Sequence, residues 1–426
     1  MASAATAVAR MKEPGGLLIG GIAAGLAGVM ADLLSPLYAT SFHEGFGLSN
    51  TQAGFLVTAA LGTMGVVELG LAHSISHRDL KRIATYGIVI ASVALLYISN
   101  VSDNGFWSLL VGMIGLGIGC GLAFVAGNAA LSFADNSERA FGILTTWYML
   151  FVFVMMSTNP YLRQIYPIVL PYAAMVAVQV VCLALIWWKM PDTRVIAEQR
   201  AAATRAAQQR DPGLGVELER DAPRLNLFGP LPILLALAVT LSQFAVAGLW
   251  TFAQELGTTA GLSAEATASF LGFSQLVGLL GTMAPWLLGR WLGRGALGAA
   301  GLLIAGIGIL VVPLVHTPTA YIAGNLAINL GYWVTLPLSL SVAADLDRNS
   351  GRLVAFILGM SSIGLALGPS LAGPLLGGTD TTLGGWVFGL IGLSAVPLII
   401  APAMAADRAV RAHRDEQAAE LDAGYL

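Results

Sequence analysis

Charge is scarce in this sequence: Asp, Glu, Lys and Arg supply only 11% of its 426 residues. A soluble domain carries about 25%. One large apolar core does not account for the shortage, because such cores stop growing at about 250–300 residues. Lipid must be the solvent for most of the chain. Cysteine is nearly missing too. Cys120 and Cys182 both sit in apolar runs and read as small buried hydrophobes, which excludes a disulfide framework. The five histidines, His43, His73, His77, His316 and His413, are scattered over loops and tails. His73 and His77 share i, i+4 spacing, but no carboxylate is expected beside them, so no metal site is expected. No Gly-x-x-x-x-Gly-Lys-Ser/Thr stretch is present, which excludes ATP as a driver bound by this chain. No nucleophile elbow appears either; neither an enzyme nor a bound cofactor is expected. No basic stripe suggests nucleic acid.

What the chain has instead is apolar surface and glycine. Hydrophobic residues reach 56%, mean hydropathy is +0.77, and there are 51 glycines. Small residues let membrane helices approach closely where lipid gives no hydrophobic drive for association. Arg10 and Lys12 precede an apolar run from Gly15 to about Phe42. That run is too long for the core of a signal peptide and further spans follow it, so it reads as a retained first helix.

A spanning helix needs roughly 20 mostly apolar residues. Twelve segments qualify, starting near Gly16, Asn50, Ile83, Phe106, Phe141, Tyr166, Leu227, Ala264, Ala296, Thr319, Arg352 and Leu383. The stretch 190–226 differs: Asp192, Arg194, Glu198, Arg200, Arg205, Arg210 and Asp211 crowd its first part, and Asp211-Pro212-Gly213 should break any helix there. The expected organisation is a six-helix half over 1–189, a cytoplasmic linker over 190–226, a second six-helix half over 227–407 and a cytoplasmic tail over 408–426.

Lys and Arg give the orientation. With the N-terminus inside, all of the 21 basic residues except Arg163 fall on the cytoplasmic side. An odd number of spans would put basic loops on the wrong face. The halves also repeat. Gly47-Leu48-Ser49 opens the second span and Gly261-Leu262-Ser263 the eighth. Arg78 and Arg82 match Arg290 and Arg294, and Arg139 matches Arg352, all at nearly the same offset. Ser49-Asn50-Thr51-Gln52 is a capping box that fixes the start of the second span.

With these features the chain resembles the major facilitator superfamily over nearly its whole length. The family's signature loop, G-x-x-x-D-R-x-G-R-R, corresponds to His73-Ser74-Ile75-Ser76-His77-Arg78-Asp79-Leu80-Lys81-Arg82, which keeps the basic residues and loses the Asp and both Gly. Its second copy, Gly289-Arg290-Trp291-Leu292-Gly293-Arg294, keeps Gly and both Arg with one residue extra. Gly115, Gly117, Gly119 and Gly121 in the fourth span, Glu138-Arg139-Ala140-Phe141-Gly142, and Gly364, Gly368-Pro369 and Gly373-Pro374 in the eleventh are also similar. The nearest branches are bacterial sugar-efflux-like or uncharacterised facilitators. Val111 stands where related proton-coupled members carry Arg.

The resemblance implies an all-α membrane protein of twelve transmembrane helices in two six-helix, pseudo-symmetric halves, multi-pass in a bacterial inner membrane with both termini cytoplasmic. It also implies a small-molecule substrate, the bilayer as partner, and a monomer. The signature loops would gate the cytoplasmic side through Arg78, Lys81, Arg82, Arg139, Arg290, Arg294 and Arg352. The first, fourth, seventh and tenth spans would line a central cavity, so their polar residues are the candidates.

Asp32, within the first span beside Ser35 and Pro36, is the sharpest of these. An ionised acid at helix centre costs about 2.5–3.5 kcal/mol on insertion scales, so it usually faces water or a partner. That makes Asp32 the proton-coupling candidate. Ser35, Asn128, Gln243, Trp250, Gln254, Asn325, Asn329, Tyr332 and Trp333 are the substrate-cavity candidates. Gln243, Trp250 and Gln254 share one helix face, and Asn325, Asn329 and Trp333 another. Interhelical hydrogen bonding is the other reading for these amides, and the one preferred for Gln275. Glu68 is expected to pair with the basic loop, Glu255 to lie at an interface, and Trp147 and Tyr148 to pack. No Arg or Lys lies deep in an expected span, which favours a neutral, aromatic or cationic solute. The function implied is a secondary active transporter, proton-coupled efflux being one form. The alternatives are an uncoupled facilitator, an uptake carrier for a monocarboxylate, or a non-transporting membrane sensor.

Overall fold

The computed structural model describes residues 15–72, 78–101, 105–132, 137–166, 168–192, 226–347, 352–378 and 380–423. Among these residues all regular structure is helical, and twelve helices are long and apolar enough to cross a membrane. The first, α1, covers Gly15–Gly28 and continues through Met30–Leu33, Ser35–Thr40 and a π-helical turn, Ser41–Gly45. Then follow α2 (Asn50–Ala72), α3 (Leu80–Ile98), α4 (Phe106–Ser132), α5 (Ser137–Ile165) and α6 (Val169–Lys189). The second half opens with α7 (Pro230–Thr251, continued by Ala253–Thr259). Its next two spans, α8 (Ala264–Gly289) and α9 (Trp291–Leu314), form one helical run broken at Gly293, where φ is +73°. The last three are α10 (Pro318–Leu346), α11 (Arg352–Leu376) and α12 (Thr382–Ala423). The last helix carries on well beyond its membrane span, so the stretch expected as a tail begins as helix.

An even number of passes gathers the start of α1, the end of α6, the start of α7 and the end of α12 at one end of the bundle, the linker end. The turns before α2 and α8 lie at the opposite, far end. These two turns are built alike. Gly47 and Gly261 hold φ of +67° and +93°, a region open to Gly at little cost. Ser49 and Gln52 then bond reciprocally, with the Gln52 amide N–H donating to Ser49 Oγ at 3.3 Å, and Ser263 Oγ accepts from the Ala266 amide at 3.1 Å. The repeat seen in the sequence is thus a repeated turn and cap.

Close approach of α4 to α1 explains part of the glycine content. A Cβ on Gly127 would run into the backbone of Gly21 and Gly25, and Gly119 meets the backbone of α3 in the same way. Overpacking a tight contact costs about 1–3 kcal/mol, and here the obstacle is main chain, which yields little. Gly127→Leu is therefore expected to lower the thermal midpoint by several degrees and to shift detergent-solubilised protein into aggregate on size exclusion. A wild-type profile would refute this packing.

The halves meet through three helix pairs, α2 with α11, α5 with α8, and the outer parts of α1 with α7. The cavity lies between them. At the linker end, Lys189 sits 3.7 Å from the Trp188 ring centroid and Lys81 sits 5.1 Å from that of Trp187, an aromatic–basic belt suited to a headgroup region.

Candidate functional site

The site begins with a helix that cannot run straight. Pro36 has no N–H to give. Around it, the Asp32 amide bonds back three residues to the Val29 carbonyl at 3.1 Å and Leu37 to Leu34 at 2.9 Å, so α1 is interrupted at Val29 and Leu34. Asp32 sits in the short piece between the interruptions. Its partner helix is interrupted as well: α7 turns at Phe252 before resuming. The two broken helices touch at this level, where Trp250 Nε1 donates to the Leu33 carbonyl at 3.3 Å. Broken helices facing each other are a recurrent way of building transporter sites.

Below that contact, toward the linker end, lies a cavity with about 500 Å³ of empty space, lined by Asp32, Gln243, Trp250, Asn325, Asn329, Tyr332 and Trp333 among others. Asp32 is half-buried, and no hydrogen bond or ion pair from a described residue reaches its carboxylate. Gln243 spends its Nε2 on Ser361 Oγ at 2.7 Å, which leaves its Oε1 without a partner although the residue is only 3% exposed. Trp333 Nε1 is likewise unpartnered at 7% exposure. Asn325 and Asn329 each donate from Nδ2 to the carbonyl one turn back, at 2.9 and 3.0 Å. The acceptor partner fixes the orientation of both amides and leaves the carbonyl oxygens as their free ends. Tyr332 and Trp333 stand edge to face with centroids 5.0 Å apart. A smaller pocket of about 260 Å³ adjoins on the other side of Gln243 and Tyr332, within the second half.

The far end of the cavity is shut by bonds between the halves. Thr251 Oγ1 lies 3.4 Å from Ser35 Oγ, and Thr40 Oγ1 3.3 Å from Gln254 Oε1, each threonine hydroxyl being shared with a carbonyl of its own helix, Ala247 and Pro36. Asn50 Nδ2 donates to Glu255 Oε1 at 2.8 Å and also to the Gly377 carbonyl. Burial holds the Glu255 carboxyl above the usual carboxylate range, against the opposing pull of the Asn50 bond and nearby His43; Glu44 adds to the rise. Glu44 is itself paired with Arg163 at 2.6 Å. In an open far end Glu255 would be solvated and return toward its ordinary value. The closed form therefore binds the proton more readily, and closure should strengthen as pH falls through the range just above the ordinary Glu value. A Ser35→Cys probe, with Cys120 and Cys182 replaced, is expected to react more slowly with a membrane-impermeant maleimide as pH falls, after correction for thiolate content. Glu255→Gln should flatten that dependence; an unchanged slope would contradict it.

The cavity thus brings together Asp32, Gln243, Trp250, Asn325, Asn329, Tyr332 and Trp333. Ser35 and Gln254 lie in the far-end closure instead, both buried. Asn128 does not line the cavity; its Nδ2 donates to the Phe124 carbonyl at 2.9 Å. Gln275 does line it, although its setting in α8 reads as interhelical bonding. Glu68 does not pair with the basic loop: it accepts from Ser362 Oγ of α11 at 2.7 Å, because α2 packs along α11. Trp147 is exposed, while Tyr148 is buried with its hydroxyl unpartnered.

Among the basic residues, Arg294 ties its own half together, reaching Asp345 of α10 and Asp407 of α12, the latter at 3.4 Å. Arg82 pairs with Asp79 at 3.0 Å, and Asp79 caps α3 by accepting from the Arg82 amide. Lys81 bonds the Trp187 carbonyl at 3.1 Å within the first half, and Arg78 is exposed. The side chains of Arg139, Arg290 and Arg352, and all of His73 and His77, lie outside the described residues.

A family model described as Major Facilitator Superfamily matches residues 20–369. An uncharacterised transporter of Sinorhizobium fredii (strain NBRC 101917 / NGR234), y4wD, is 28% identical over 141 residues. That match spans 33% of this chain and 37% of the relative, little more than a third of its length. A solved proton-dependent oligopeptide transporter superposes with a TM-score of 0.65 at 14% identity, covering 94% of this chain and 100% of the other. A crystal structure of the peptide transporter POT gives 0.67 at 14% identity, covering 96% and 99%. A tetrameric peptide transporter, PepTSo2, gives 0.61 at 14%, covering 94% and 98%. At these identities the likeness is one of fold.

Proposed function

The chain belongs to the major facilitator superfamily, and from that premise we propose that it is a proton-linked secondary carrier for a small organic solute of neutral, aromatic or cationic character, working by alternating access. The observation that carries this reading is an unpaired acid, Asp32, on a broken helix at a cavity between two halves bonded shut at one end. Substrate-cavity residues are Gln243, Trp250, Asn325, Asn329, Tyr332 and Trp333, and Ser35 and Gln254 belong to the far-end gate. None of the described residues lining the cavity is Lys or Arg, which speaks against a multiply charged anion. The bias of basic residues supports a cytoplasmic linker and cytoplasmic chain ends, and with that orientation the closed end faces outward.

The test is transport by purified protein in proteoliposomes, with labelled sugars, aromatic acids and organic cations offered in turn. Counterflow of at least one solute, and its accumulation when a pH gradient is imposed, are expected. Protein that binds a solute and exchanges none of it would be a sensor and would overturn the reading. Exchange that is indifferent to pH would support the uncoupled facilitator instead.

A further inference from the structure

The wall of the cavity is divided unevenly between the halves. Among the described residues, Asp32 and Leu33 are the ones of the first half that line it; the amides and aromatics come from the second. The first half thus supplies the one formal charge, and the second supplies the neutral recognition surface.

That surface is rich in acceptors. Asn325 and Asn329 donate from Nδ2 to the carbonyls one turn back, and Asn329 also to Ser274 Oγ at 3.3 Å, which leaves their carbonyl oxygens free to accept. Gln243 donates from Nε2 to Ser361, and its Oε1 is buried. Donors are present too, among them the Tyr332 hydroxyl, the Gln275 amide and the second N–H of Asn325; what the described wall lacks is a positive charge to answer Asp32. Hydrogen bonds to a charged group are the stronger ones, so a solute that donates to Asp32 gains what an acceptor-only solute does not. Trp250, Tyr332 and Trp333 add ring faces that attract cations.

Resting on the carrier reading above, we propose that the solute is a protonated amine bearing an aromatic ring, its ammonium held by Asp32 and the amide oxygens, its ring held among the aromatics of the second half. The amine is recognised by two parts that separate as the halves rock. Its ring stays with the second half, and its charge is handed to Asp32 when the halves close on it.

Three indoles that differ in one terminal group test this: tryptamine as the cation, tryptophol as the neutral form and indole-3-acetate as the anion. Equilibrium dialysis against purified protein in nanodiscs is expected to show tryptamine binding at least about tenfold more tightly than the other two, a difference of about 1.4 kcal/mol. Asp32→Asn should remove that preference by weakening tryptamine alone, and Asp32→Glu should restore part of it. Thermal midpoints near wild type establish that each variant is folded. Tryptophol or indole-3-acetate binding as tightly as tryptamine overturns the proposal, as does a preference that survives Asp32→Asn or failure of all three to bind. Should pH-driven transport of some other solute remain Asp32-dependent in that event, only the amine assignment falls and the carrier reading stands.

Discussion

Replacing Asp32 with Asn is expected to abolish pH-driven solute accumulation while leaving the bundle folded. The two side chains have nearly the same shape. Asp32 makes no hydrogen bond or ion pair with a described residue, so the change strips away no structural contact. What it removes is a group that can hold and release a proton. Ionised acids within spans are costly, by about 2.5–3.5 kcal/mol at helix centre, and Asn spares the fold that cost. The thermal midpoint should therefore stay at or slightly above the wild-type value. Accumulation under an imposed pH gradient should fall to the level of empty liposomes. Accumulation at the wild-type rate in a correctly folded Asp32→Asn protein would show that the coupling proton is carried elsewhere. Glu68 would then be the next residue to test, since it lies at the α2–α11 interface and is held by Ser362.

Asn50→Ala should have the second largest effect, on the far-end closure. One side chain there bonds both the Glu255 carboxylate and the Gly377 carbonyl, and both belong to the opposite half. A hydrogen bond to a charged group contributes about 1.5–3 kcal/mol. Losing it leaves Glu255 partly buried with one partner fewer, which penalises closure further. Each 1.4 kcal/mol is about a factor of ten in population, so the open-to-closed ratio should rise by about ten- to a hundredfold. A Ser35→Cys probe, buried in the closed form, should then react with an external maleimide faster by a similar factor. An unchanged labelling rate would mean that the remaining contacts of α1 with α7, Thr40 with Gln254 among them, keep this end shut.

The fold was legible because lipid imposes simple rules. Twelve apolar runs, the bias of basic residues and the paired Gly-Leu-Ser turns each gave the same twelve-helix reading, and the positive φ at Gly47 and Gly261 gives the repeat a physical basis. Asp32 stood out because an acid inside an apolar run needs an explanation. The amides were harder. Spacing puts Gln254 on the same face as Gln243, but the interruption of α7 at Phe252 carries it into the closure, and no Pro or Gly at that residue announces the turn. Gln275 and Asn128 were exchanged in effect, the first lining the cavity and the second turned back on its own helix, because periodicity gives a face without saying what that face meets. Glu68 shows a related limit: the basic loop is near it in sequence, but its partner in space is Ser362 of α11.

Alternating movement of the two ends is most directly tested by pulsed electron spin resonance in nanodiscs. One spin-label pair spans the far end at Ser49 and Thr258, and another the linker end at Arg78 and Leu292; all four positions are exposed. Introducing Asn50→Ala is predicted to lengthen the first distance and shorten the second in the same sample. Two distances that stay fixed, or that lengthen together, would contradict a single pathway opening to one side at a time.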